Sequence, residues 1–165
     1  MTYLNADCTL DGRRLLLSEL PHLTSEDIAA IVGFQSPGGD IDEDASHYTW
    51  ALFEVPLADL RACNEDGEEP EGGWKAAYLR HQQSDQEAVA SGSPEYAGRQ
   101  EWLAGWCHNT SQYPIFLVLE GGEYRLWDGY HRLAGAFWNE IPSVMAFVGT
   151  PKPKLDNMLR NRPAR

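Results

Sequence analysis

The chain has 165 residues, the length of one ordinary domain whose core needs neither disulfides nor a structural metal. Its 25 Asp and Glu outnumber 13 Lys and Arg, a formal net charge of -12 that excludes a broad basic surface for tracking nucleic-acid phosphates, so duplex DNA is not an expected partner. At 42% hydrophobic and 11% aromatic the composition is that of a folded globular protein, and no run approaches the roughly 18 apolar residues of a membrane span, so no membrane partner is expected.

The first residues have neither the basic start nor the apolar block of a secretory signal, and the three cysteines (Cys8, Cys63, Cys107) are odd in number and widely scattered. A reducing cytoplasm is the expected compartment. The acidity is uneven: residues 40–71 hold eleven acids against one base, Arg61, while residues 150–165 carry five bases against Asp156. That gives an acidic body with a short basic tail, and mobility is the ordinary fate of such an end.

In chain order, Thr24 and Asp27 bracket Ser25-Glu26 like a capping box, and Ile28, Ala29, Ile31 and Val32 predict a short helix with Gly33 as its stop. Residues 35–46 are polar and glycine-bearing and read as a loop. Tyr48 to Val55 predicts a strand halted by Pro56, with Pro56 to Leu60 as a turn or one helical turn. Asn64 to Gly73 is a loop by composition, Trp74 to Ala90 is helix-permissive, and Ser91-Gly-Ser-Pro94 breaks it. Trp102 and Trp106 stand four apart in a further helical stretch at 95–107, where they read as core. Pro114 to Glu120 and Glu123 to Trp127 form two strand-like runs joined by Gly121-Gly122, a hairpin. Leu133, Ala134, Ala136 and Phe137 give helical spacing up to Trp138, and Ile141 to Val148 predicts a last strand. The expected class is mixed α/β (α+β): a small mixed sheet with a hairpin leading directly into a helix.

Chemistry concentrates where that hairpin meets the helix, at Asp128-Gly129-Tyr130-His131-Arg132. The first N–H groups of a helix lack intrahelical acceptors and its dipole is positive there, so an anion is welcome. Gly129 lets a phosphate approach the backbone, Arg132 can fork onto phosphate or carboxylate, and His131 can donate a hydrogen bond or shuttle a proton. Asp128 can hold a divalent ion or accept a proton. A purely structural alternative stands beside this: Asp128 as helix cap, Gly129 for the turn, His131 in the core and Arg132 in a surface ion pair. Cys107-His108 with His131 lacks the spacing of a metal set.

The order Val55-Pro-Leu-Ala-Asp-Leu60, two helical stretches, Tyr113-Pro-Ile-Phe-Leu-Val118, Glu123-Tyr-Arg-Leu-Trp-Asp-Gly-Tyr-His-Arg-Leu-Ala-Gly-Ala136 and Ile141-Pro-Ser-Val-Met145 resembles the ParB/sulfiredoxin superfamily over about residues 50–149. The resemblance implies a phosphate-binding helix and a division into an N-terminal extension with one helix (1–49), the ParB/sulfiredoxin-like domain (50–149) and the basic C-terminal tail (150–165). It also implies nucleotide contacts at Gly129, Tyr130, His131 and Arg132, with Asp128 as metal ligand or nucleophile-orienting acid. Sulfiredoxins have a catalytic cysteine where this chain has Tyr130, and partitioning ParB proteins usually have a second arginine where it has His131. The variant Asp-Gly-His-His-Arg of the superfamily's free-serine kinases is similar apart from Tyr130, and those kinases place a glutamate base upstream, in the region of Glu65. The expectation is therefore binding of ATP or CTP with Mg²⁺, and hydrolysis or phosphoryl transfer to a small-molecule acceptor, with Asp128, His131 and Glu65 as catalytic candidates. Two other readings are an acidic, non-catalytic interaction protein that meets a protein partner through its acidic loops, and a ParB-like nuclease.

Overall fold

The computed structural model describes residues 9–10, 13–14, 17–35, 45–64, 66–92 and 114–153. Glu65, the 40–44 acids, Trp102, Trp106, Cys107 and His108 lie outside them. After a minimal hairpin of β1 (Thr9–Leu10) and β2 (Arg13–Arg14), a 3-10 turn over Leu17–His22 leads to helix α1 (Ser25–Gln35). Its start is the expected capping box: Asp27 N–H donates to Thr24 Oγ1 at 3.2 Å, and the Thr24 N–H donates to Asp27 Oδ2 at 2.8 Å. The helix continues two residues beyond Gly33, the expected stop, to Gln35.

Four strands form the main sheet: β3 (Tyr48–Pro56), β4 (Ile115–Glu120), β5 (Glu123–Asp128) and β6 (Ser143–Pro151), in the order β3-β6-β4-β5. β6 is antiparallel to β3 and parallel to β4, and β4 is antiparallel to β5, so the sheet is mixed. The continuous apolar run of β4 suits this position, since its first four residues are buried on both faces. Gly121 and Gly122 both have positive φ, 60° and 91°, as the two-residue hairpin turn requires. β6 starts later than the sequence pattern suggests because Ile141 and Pro142 are spent on a turn: the Ile141 N–H donates to the Ala136 carbonyl at 3.2 Å, and the Pro142 carbonyl accepts the Leu57 N–H at 2.9 Å.

Helices cover both faces. Helices α2 (Gly73–Ala90) and α3 (Tyr130–Trp138) bury Trp74, Tyr78, Leu133 and Ala136 against Leu117, Leu126, Val144 and Ala146. On the other face Ile28 and Ile31 of α1 join Tyr48, Trp50, Phe116, Trp127 and Phe147. Residues before 50 therefore contribute to the same packed unit as the sheet. Ser25 fastens the two together, its Oγ accepting the Trp50 N–H at 2.9 Å. The architecture is mixed α+β, and among the described residues no helix is long and apolar enough to cross a membrane.

Candidate functional site at the start of α3

β5 delivers the chain to α3 through an irregular last turn. The register with β4 shifts between Phe116, opposite Asp128, and Leu117, opposite Leu126, so Trp127 is one extra residue on β5. Gly129 follows with φ 106°, a left-handed conformation that disfavours any side chain. Space forbids one as well: a Cβ there would lie 2.7 Å from Ile115 Cγ2. The first intrahelical bond runs from the Leu133 N–H to the Gly129 carbonyl, 2.9 Å. Gly129 is thus the residue that caps α3, and it brings no side chain to the first turn.

Asp128 does not cap the helix, contrary to the structural alternative. Its Oδ2 accepts from Arg132 Nη2 at 2.8 Å, one turn on, while its side chain stays 40% exposed. Arg132 is not a surface ion pair either. It is 4% exposed, and its Nη1 donates to the Pro114 carbonyl at the entry to β4. A long cation can be buried here because a carboxylate and a carbonyl receive its fork. The guanidinium thereby ties the entry to β4, the end of β5 and the first turn of α3 into one knot. Sequence spacing supplies the i,i+4 pair but not Pro114, eighteen residues away.

Tyr130 and His131 turn toward α2. The Tyr130 ring lies 5.1 Å from Trp74 and 5.0 Å from His81, and the His131 ring meets His81 edge to face at 4.4 Å. Burial raises the Tyr130 phenol above its ordinary value, and the nearby Arg80 guanidinium offsets part of that rise, so the hydroxyl is protonated at neutral pH. Arg80 is exposed and donates to the Glu71 carbonyl at 2.8 Å. His81 and Arg80 are the site residues that the sequence reading missed. A signal existed: Trp74, Tyr78, His81 and Asp85 follow helical spacing on one face of α2, and two polar residues on an otherwise apolar stripe mark a place where the face does more than pack.

The loop before α2 runs along the outer edge of β5. The Leu126 N–H donates to the Cys63 carbonyl at 2.6 Å, and Gly67 lies flat against the Arg125 guanidinium, where a Cβ would be 2.6 Å from Cζ. Glu65, the expected base, lies outside the described residues. Cys63 is buried and its thiol is pushed up to about 12, mainly by desolvation, so it is not a nucleophile at neutral pH. Among the described residues no group of three or more His, Cys, Asp or Glu gathers to hold a metal. Asp128, the expected ligand, has a guanidinium as its neighbour.

No family model and no curated protein matches the sequence. Among solved structures the chain is similar to sulfiredoxin from Arabidopsis thaliana, with 20% identity and a TM-score of 0.34 over 67% of this chain and 93% of that one. A likeness of that degree assigns neither activity nor ligand, and the fold is defined by the chain's own topology, a four-stranded mixed sheet with helices on both faces.

Proposed function

We propose that the protein binds the phosphates of a nucleoside triphosphate, ATP or CTP, at the start of α3 on a ParB/sulfiredoxin-like scaffold, and hydrolyses the nucleotide or transfers a phosphoryl group to a small-molecule acceptor. The observation that carries this reading is the convergence of Arg80 and His81 from α2 with Tyr130 and His131 at the positive end of α3, directly after a left-handed glycine. In a chain of net charge -12 such a gathering of hydrogen-bond donors with an exposed guanidinium is out of keeping with the rest of the surface. An anion is the ligand that it suits.

In this reading the backbone of the first turn, the imidazoles and the protonated Tyr130 hydroxyl donate to phosphate oxygens, and Arg80 supplies the exposed charge. Asp128 holds Arg132 in place rather than taking a proton. Asp128 with its guanidinium partner does not fit a resident metal; Mg²⁺ enters as the counter-ion that accompanies a nucleotide. For hydrolysis, a water oxygen bonds to the γ-phosphorus as the bridging P–O bond breaks and the water gives up a proton to solvent, leaving nucleoside diphosphate and phosphate.

The test is thermal unfolding of the full chain with ATP, CTP, GTP and ADP, each with and without Mg²⁺. A ligand that binds only the folded state stabilises it by about 2.7 kcal/mol at one hundred times its dissociation constant. At least one triphosphate should raise the melting temperature, and Arg80→Ala and His131→Ala should abolish that rise while the ligand-free melting temperature stays near that of the wild type. No rise with any nucleotide at millimolar concentration would overturn the reading and favour the acidic interaction protein.

A further inference from the structure

Among the described residues β3 is an edge of the sheet, paired with β6 on one side only. Three hydrogen bonds show which of its backbone groups face outward. The Leu57 N–H donates to the Pro142 carbonyl and the Lys152 N–H to the His47 carbonyl, so odd-numbered residues at both ends turn toward β6. The Trp50 N–H turns the opposite way, to Ser25 Oγ. Directions alternate along an antiparallel ladder, so Leu52 and Glu54 present their N–H and C=O groups to the open edge. Natural edge strands are guarded by charge, a bulge or an internal proline. β3 has one charge, Glu54, an unbroken register with β6, and its proline only as the last residue. On the face that carries Val55, Phe53 is 52% exposed, more than any other large hydrophobic side chain among the described residues.

We propose that β3 pairs antiparallel with β3 of a second copy of this chain, about a two-fold axis through Phe53. In that register Leu52 faces Glu54 of the other copy and Glu54 faces its Leu52, and each of these two pairs exchanges both backbone hydrogen bonds. Phe53 meets Phe53 in the intervening non-hydrogen-bonded pair, where side chains approach most closely, and Ala51 lies opposite Val55 on the same face. A two-fold axis at Leu52 would instead set Glu54 against Trp50, whose N–H Ser25 already occupies. Pro56, with no N–H to offer, ends the strand where it would reach that blocked position. The open stretch therefore fits itself in reverse, which makes a second copy the occupant. A single strand pair with little flanking surface falls below the roughly 1,200 Å² of a standard interface, so the dimer is reversible and dilution dissociates it.

Sedimentation velocity on the full chain over a dilution series tests this. The wild type should pass from dimer to monomer on dilution, and Phe53→Glu and Phe53→Lys should each weaken association at least about tenfold, because like charges then meet at the axis. An equal mixture of the two variants should regain a heterodimer, Glu against Lys. Circular dichroism should show both variants folded, since the side chain is exposed. A wild type that is monomeric throughout, or a dimer that either charged variant leaves intact, overturns the proposal. Failure of the mixture to reassociate would put Phe53 against a different residue and overturn the register.

Discussion

Arg132 and Asp128 form a one-turn clasp across the β5–α3 junction, Nη2 to Oδ2 at 2.8 Å, while the second arm of the same guanidinium holds the Pro114 carbonyl. The arginine of the Asp-Gly-Tyr-His-Arg junction is therefore a fold residue. Its guanidinium is buried and oriented by the protein's own acceptors.

Replacing Arg132 by alanine should lower stability by about 2–4 kcal/mol, since a buried carbonyl loses its donor and a half-buried carboxylate its cation. Arg132→Lys should recover less than half of that, because one ammonium cannot reach both acceptors as the fork does. Asp128→Asn keeps an acceptor and should cost only about 1 kcal/mol. Urea unfolding of the three variants measures the series. Equal loss for all three would show that the clasp does not hold the junction. It follows that lost nucleotide binding in Arg132→Ala would be ambiguous, and Arg80 and His131 are the better probes of the ligand.

Gly129 is required twice over, by its φ of 106° and by Ile115 Cγ2 at 2.7 Å from the place of a Cβ. Gly129→Ala should cost about 2–4 kcal/mol from both causes together. They separate in a double-mutant cycle with Ile115→Ala, which removes the obstructing Cγ2 and leaves the backbone angle at residue 129 unchanged. The pair should be less destabilised than the sum of the singles, with the φ cost remaining. Strict additivity would remove the steric part of this account.

Local rules account for what was legible in the sequence. The Thr24–Asp27 box, the Gly121-Gly122 hairpin and the helix over Trp74 to Ala90 all depend on residues within a few positions of one another, and each forms as the spacing predicts. The roles at the junction depend on distant partners. Asp128 has the right type and position for a cap, yet Arg132 is nearer to its carboxylate and Gly129 takes the capping place. Ile115, which makes Gly129 obligatory, is fourteen residues upstream, and His81, which packs on His131, is fifty upstream. No periodicity states which residue of one helix meets which residue of another.

Acid stability should carry the marks of two carboxylates. Asp27 is held below its ordinary 3.8, first by the Thr24 N–H and then by the Thr24 hydroxyl, and Glu140 below its ordinary 4.5 by the hydrogen bond and charge of Lys75. A carboxylate with a depressed folded-state pKa contributes stability that is complete above the unfolded value and is lost as pH falls through the folded one. The acid loss should therefore begin near pH 4.5 for Glu140 and near 3.8 for Asp27. Both groups are open to water, so each effect is small. Asp27→Asn should flatten the lower part in a salt-independent way, because a backbone hydrogen bond is its main cause. Lys75→Gln should flatten the upper part only at low salt. Melting temperatures from pH 2 to 6 at two salt concentrations decide the matter.

Alkaline stability should be governed by Cys63 and Tyr130, and here the sign is opposite. Desolvation raises the Cys63 thiol from 9.0 to about 12 and raises the Tyr130 phenol above 10.0, with Arg80 pulling the phenol part of the way back. The folded state keeps protons that the unfolded chain gives up, so stability is complete below the unfolded values and falls as pH rises from about 9 toward 12. Cys63→Ala should remove the earlier part of this fall, while Tyr130→Phe, which keeps the ring against Trp74 and His81, should remove the later part. Arg80→Ala should move the Tyr130 titration further up, visible as a delayed phenolate absorbance in a spectrophotometric titration of the folded protein. A Tyr130 titration that ignores Arg80 would mean that the guanidinium does not act on the start of α3. The phosphate-binding reading would then lose the exposed cation on which it depends.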